Sequence, residues 1–102
     1  MGINILSNSK EELHILISGD IDHHSSSAMR EKIDSLIKKY SSKTLVLDFS
    51  SVNFMDTSGI GLILGRFKLT NEMGIQLKVI NAKSRIRRII EFSGIKSLGI
   101  LK

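Results

Sequence analysis

The chain has 102 residues, enough for one domain that buries roughly two-thirds of the surface exposed by its unfolded form. Its hydrophobic fraction of 41% and charged fraction of 25% are ordinary for a soluble globular protein, and no stretch approaches the roughly 20 apolar residues of a membrane span. The absence of cysteine excludes disulfides, thiolate metal sites and cysteine nucleophiles, while the net charge of +5 raises nucleic acid or phosphate as a ligand class.

The first twelve residues, "MGINILSNSKEE", have no basic region followed by a long apolar run, so a signal peptide is not expected. Leu6 stands where a myristoylation signal needs Ser or Thr. A cytoplasmic protein is expected. "INIL" (residues 3–6) and "LHILIS" (13–18) read as two strands of a hairpin joined by the polar "SNSKEE", and Gly19-Asp20 ends the second. "GDIDHH" (19–24) offers two carboxylates and two histidines. Neighbours on an extended chain point to opposite sides, so a polar loop is expected there rather than a metal site.

Residues 25–40, "SSSAMREKIDSLIKKY", read as a helix. Met29, Ile33, Leu36, Ile37 and Tyr40 share one face, the serines can cap its start, and Lys38 and Lys39 suit its negative end. "TLVLDF" (44–49) is a short strand expected to be buried on both faces. A second helix covers residues 58–73, with Gly74 as its left-handed cap. "IQLKVIN" (75–81) is a strand, and residues 84–94 form a short helix capped by Ser84 and closed by Gly94. "LGIL" (98–101) is a possible last strand. The order β-β-α-β-α-β-α-β predicts an α/β fold with helices packed on a sheet. Lys83, Arg85, Arg87 and Arg88 concentrate positive charge. With one Tyr, four Phe and no Trp there is little material for stacking bases, so direct nucleic-acid binding is not expected.

On a helical wheel, residues 58–73 carry two apolar stripes. Ile60, Ile63, Leu64 and Phe67 form the expected core face. Leu62, Leu69 and Met73 lie nearly opposite, with Arg66 beside them: either a partner-docking patch or a surface covered by a neighbouring helix. Gly61 and Gly65, one turn apart, would let another backbone come close.

Between strand and helix stands Asp56-Thr57-Ser58-Gly59. Asp56 or Thr57 can cap the helix, which places Ser58 in its first turn. The residues leave four readings open. They are a capped helix start with no further role, a nucleophile for acyl transfer, an anion site, and an acceptor for phosphorylation. Acyl transfer needs a base within reach and an oxyanion hole, and the flanking glycines of a nucleophile elbow are missing. The chain has neither GxxxxGK[ST] nor GxGxxG, so no phosphate-cradling loop and no bound cofactor are expected. A phosphate on Ser58 would sit at the positive end of the helix dipole, so it would act on a partner rather than unfold the domain.

"GDIDHHSSSAMREKID", "FMDTSGIGLILGRFK" and "SRIRRIIEFSGI", in this order over nearly the whole chain, resemble the anti-sigma factor antagonists of the STAS domain family. The likeness is greatest to its sporulation branch, which acts on the anti-sigma-F factor. The resemblance implies a mixed β-sheet packed against helices and a binding module rather than an enzyme. In that family the unphosphorylated protein binds an anti-sigma factor that is also a serine kinase, which frees the sigma factor. The kinase, with its own ATP and magnesium, phosphorylates the serine before the motif glycine, and a serine phosphatase reverses this. The matching serine is Ser58, not Thr57. Asp22, Asp56, Thr57, Gly59, Gly61, Leu62 and Arg66 match the partner-contact positions. The family usually adds a further C-terminal helix, which this sequence is expected to lack, and the basic balance departs from an expected neutral or acidic member. The alternatives are an antagonist in a general stress-response pathway, and a small nucleotide-binding or hydrolytic protein using Ser58 with Asp22, His23 and His24.

Overall fold

The computed structural model describes residues 2–102. Strands β1 (Ile3–Asn8) and β2 (Glu12–Ile21) form an antiparallel hairpin, closed where the Ser9 N–H donates to the Glu12 carbonyl at 2.9 Å. Helix α1 (Ser26–Tyr40) crosses to β3 (Thr44–Met55), and α2 (Thr57–Glu72) crosses to β4 (Gln76–Ile80). Both crossovers join parallel neighbours, giving a four-stranded mixed sheet in the order β1-β2-β3-β4. Helix α3 (Ser84–Phe92) follows β4.

Alternation along the strands builds one apolar face. Ile15, Leu47 and Val79 stand in one row across three strands, each fully buried. Ile33 and Ile37 from α1, Leu62 and Ile63 from α2, and Ile86 and Ile90 from α3 join the same cluster, so all three helices feed one core. Central β3 is buried on both faces from Leu45 to Phe49, as expected of it.

On the reverse face the burial is partly polar. Asp48, 5% exposed, accepts the Ser50 N–H at 2.9 Å, pairs with His14 Nε2 at 2.9 Å and takes weak donation from the Asn81 amide. Burial pushes its carboxyl up, but the Ser50 N–H, His14 and Asn81 outweigh this and hold it below its ordinary value. A folded-state value below the unfolded one adds stability that is complete above the unfolded carboxylate pKa of about 3.9 and is lost as pH falls through the folded value. An Asp48→Asn variant should therefore lose less melting temperature than the unsubstituted protein between pH 5 and 3, read in parallel thermal scans (about one unit either side of that value).

Both β2 and β3 run further than expected, to Ile21 and Met55 instead of Ser18 and Phe49. Gly19, at φ +87°, sits in a bulge inside β2 rather than in a turn after it. The expected last strand shrinks to a single parallel bridge between Leu101 and Val79, because a 3-10 turn (Ile95–Leu98) and Gly99 at φ +72° take up the residues before it. Ser84 is the first helical residue of α3 and Lys83 its cap, a correction of one position. Gly74 and Gly94 have the positive φ expected of them.

Helix α2 corrects the wheel. Its buried residues are Gly59, Leu62, Ile63, Arg66 and Thr70, whereas Leu64 is 43% exposed. The buried arc is turned by about a quarter of the circumference toward α1, taking 3.6 residues per turn. Leu62 and Leu69 pack against the core, so of the two readings of that stripe the covered one holds for them; Met73 remains exposed.

The glycines of α2 also exchange roles. A Cβ at Gly61 or Gly65 would meet nothing within 4 Å, so no backbone approaches there. A Cβ at Gly59 would collide with Cγ and Sδ of the buried Met55. Gly59→Ala should destabilise the fold by about 1–3 kcal/mol through overpacking. Gly61→Ala and Gly65→Ala should each stabilise it by up to about 1 kcal/mol through helix propensity. Urea denaturation of the three variants checks the contrast.

Candidate functional site

The site lies where β2 and β3 end. Ile21 is registered on Met55, and the Asp56 N–H donates to the Ile21 carbonyl at 3.1 Å. The next residues, Asp22 and Asp56, therefore start two loops side by side, and α1 and α2 begin at one edge of the sheet. In open α/β sheets this carboxyl edge is where ligands and partners are met. Lys83, at the start of α3, reaches the same edge by donating to Asn53 Oδ1 at 2.7 Å.

Asp56 is the N-cap of α2. Its backbone is extended and its Oδ1 accepts the Ser58 N–H at 2.8 Å, while its carbonyl accepts the Gly59 N–H at 3.0 Å. Thr57 is exposed in the first helical position. Ser58 follows, half-buried, and its hydroxyl makes no hydrogen bond among the described residues.

Asp22 organises the loop before α1. Its Oδ1 accepts the N–H groups of His24 at 2.9 Å and Ser25 at 3.0 Å, and the Ser25 hydroxyl donates to the Asp20 carbonyl at 2.8 Å. So no serine side chain caps α1 as expected: the Asp22 carbonyl takes the Ser26 N–H, while the Asp22 carboxylate and the Ser25 hydroxyl tie down the loop before it. The Ser25 N–H holds that carboxyl below its ordinary value, with a smaller opposing effect of burial and further help from the His24 N–H. His23 and His24 are exposed, with ring centroids 3.9 Å apart. His24 lines a hollow with Gly2, Ala28 and Met29, and His14 is engaged by Asp48. Among the described residues no group of three His, Asp or Glu is placed to hold a metal, and no helix is long and apolar enough to cross a membrane.

Between α1 and α2 runs a cleft of about 270 Å³ lined by Ser26, Arg30, Ser58, Gly61, Leu62 and Arg66. It brings Gly61, Leu62 and Arg66 of the expected contact set together with the expected acceptor, Ser58, and leaves Asp22, Asp56, Thr57 and Gly59 outside its lining. Leu62 and Arg66 form its walls, being 3% and 5% exposed, and Gly61 is open to solvent. Arg66 Nε lies 2.7 Å from Asp34 Oδ1 of α1, charge against charge but with the N–H not aligned on the oxygen. Burial lowers the Arg66 pKa, the Asp34 charge raises it and the nearby Arg30 charge lowers it. Sequence reasoning missed Ser26, Arg30 and Asp34. On a wheel they are ordinary polar positions of an amphipathic helix, and only the crossover topology sets them against α2.

A second groove on the other side of the α2 start holds Thr57, Ile60, Arg85, Arg88, Ile89 and Phe92. Phe92 is 93% exposed. The basic segment noted in the sequence is thus divided: Arg85 and Arg88 border this groove, while Arg87 pairs with Glu91 at 3.5 Å.

Residues 6–100 match the model of the STAS domain. An anti-sigma F factor antagonist of Paenibacillus polymyxa is 36% identical over 83 residues, spanning 81% of this chain and 71% of that protein. An anti-sigma-B factor antagonist of Bacillus subtilis is 29% identical over 99 residues, spanning 96% and 89%. The solved structure of the anti-sigma factor antagonist SpoIIAA in its unphosphorylated form superposes with a TM-score of 0.83 at 27% identity, covering 98% of this chain and 85% of that one. Its phosphorylated form from Bacillus gives 0.74 at 27% identity over 98% and 88%. With the four-stranded mixed sheet, the three helices on one core and the Asp-Thr-Ser-Gly start of α2, these matches make the chain a member of the STAS domain family, among the anti-sigma factor antagonists.

Proposed function

We propose that this chain binds an anti-sigma factor through the edge where α1 and α2 begin, and that phosphorylation of Ser58 ends the binding. The observation that carries this reading is the Ser58 hydroxyl, which has no partner among the described residues. It stands in the first turn of a capped helix, at the mouth of a cleft. Asp56 and Thr57 precede it, buried Gly59 follows it, Gly61, Leu62 and Arg66 line the cleft with it, and Asp22 opens the neighbouring loop.

In the unphosphorylated form the hydroxyl edge docks on the anti-sigma factor, and the sigma factor is released. The anti-sigma factor is also a serine kinase, with its own ATP and magnesium. In the transfer, the Ser58 Oγ–P bond forms as the bond between the β- and γ-phosphates breaks, ADP leaves and the hydroxyl proton is lost. A serine phosphatase restores the hydroxyl. The likeness to SpoIIAA, solved in both unphosphorylated and phosphorylated forms, supports this cycle. The work is cytoplasmic, where sigma factors meet RNA polymerase.

The 36% identity to an anti-sigma F factor antagonist favours a sporulation sigma-F pathway. The match to an anti-sigma-B factor antagonist, which spans more of the chain, supports a stress-response pathway as the second reading. The test is a displacement titration. The protein is added to each preformed sigma–anti-sigma complex of the same organism. Release of sigma from one complex identifies the pathway, and release from neither contradicts the proposal.

A further inference from the structure

The cleft beside Ser58 is more than a gap between helices. Arg66 is nine-tenths buried, yet only part of its donor fork is used. A guanidinium has five N–H groups. Here Nε faces Asp34 without alignment, and Nη1 donates to the Leu62 carbonyl at 3.4 Å. No other acceptor for Arg66 exists among the described residues. The side chain runs back toward the start of its helix, as long helical side chains do, so it ends near Leu62, one turn from Ser58. Gly61, between them on the cleft, contributes no side chain to fill the space. Arg30 of α1 borders the same cleft, close enough for its charge to act on Arg66. Two cations thus line one cleft, and no carboxylate among the described residues lines it with them; Asp34 is reached only through Arg66 Nε.

Resting on the reading of Ser58 as a phosphoacceptor, we infer that this cleft receives the phosphoryl group of phospho-Ser58, with Arg30 and Arg66 as its ligands within the chain. The helix start has fewer donors to offer than usual, because the Asp56 carboxylate already accepts the Ser58 N–H and its carbonyl accepts the Gly59 N–H. A dianion there is attracted by Arg30 and Arg66. It is opposed by the Asp56 carboxylate two residues away and, more remotely, by Asp34 behind Arg66 and Asp22 in the neighbouring loop. The Ser26 hydroxyl completes the lining. Phosphorylation would then act twice on a partner: it fills the cleft, and it neutralises Arg30 on the docking edge.

The test uses the full chain with phosphoserine installed at position 58 during translation, so that it does not depend on any kinase. The second ionisation of the phosphate is followed by phosphorus NMR. It should fall below that of a phosphoserine peptide, whose value is about 6. The Arg30→Gln variant should raise it by about half a unit or more, whereas Lys32→Gln, on the same helix, should leave it in place. An unchanged ionisation in Arg30→Gln, or a value equal to that of the peptide, overturns the inference. Arg30 is exposed, so this variant should fold even if Arg66→Gln does not. Failure here would leave the kinase reading of Ser58 intact, and failure of kinase transfer would leave this result standing.

Discussion

Replacing Asp34 by alanine is expected to cost about 3 kcal/mol of stability and to lower the melting temperature by roughly 10–20 °C for a domain of this size. Arg66 is buried beside Leu62 and Thr70, and Asp34 is the carboxylate against its guanidinium. Removing one member of a buried pair leaves the other charge desolvated and uncompensated, which is more damaging than losing both. The figure stands at the low end of that class because the Asp34 side chain is 26% exposed, so water can reach the orphaned cation. Replacing both residues together, Asp34→Leu with Arg66→Met, should recover most of the loss. Urea denaturation of Asp34→Leu, Arg66→Met and the double variant, read as a double-mutant cycle, separates a charge penalty from a simple loss of contacts. A double variant no more stable than Asp34→Leu would contradict the ion-pair account.

Ser58→Asp should fold normally and yet lose about a hundredfold in affinity for the anti-sigma factor, equivalent to about 2.7 kcal/mol. The new carboxylate sits in the first turn of α2, where the helix dipole favours it by about 0.3–1 kcal/mol and the Asp56 charge offsets part of that. Its circular dichroism and melting temperature should therefore match those of the unsubstituted protein. The loss is expected to fall on the complex, through the desolvation that a new charge at a contact requires. Ser58→Ala should bind and never be switched off. Loss of the fold in Ser58→Asp would contradict the dipole argument.

The element order through α3, the helix start at Asp56 to Gly59 and the positive φ of Gly74 and Gly94 were legible because each rests on local chemistry: apolar period, cap residues and glycine placement. What escaped depends on partners distant in sequence. Gly19-Asp20 reads as the end of the second strand and residues 44–49 as a short one, but neighbouring strands carry the chain on to Ile21 and Met55. The face of α2 was misread because Gly59, Arg66 and Thr70 do not look like core residues. Gly59 is buried for lack of room beside Met55, Arg66 is paired with Asp34, and Thr70 donates to the Arg66 carbonyl at 2.8 Å. A wheel counts hydrophobicity, so it cannot see polar residues whose partners lie on another helix. Ser58 could be singled out from the sequence with the help of the family resemblance. The arginines around it could not, since nothing local distinguishes Arg30 from its exposed neighbours.

The central claim is that Ser58 is the switch, and phosphosite mapping tests it most directly. The protein is incubated with its cognate anti-sigma factor kinase, ATP and magnesium, and the product is mapped by tandem mass spectrometry. One phosphate on Ser58, with none on Thr57 and none anywhere in Ser58→Ala, is the result expected. No phosphate, or a phosphate on another residue with Ser58 unmodified, would contradict the account.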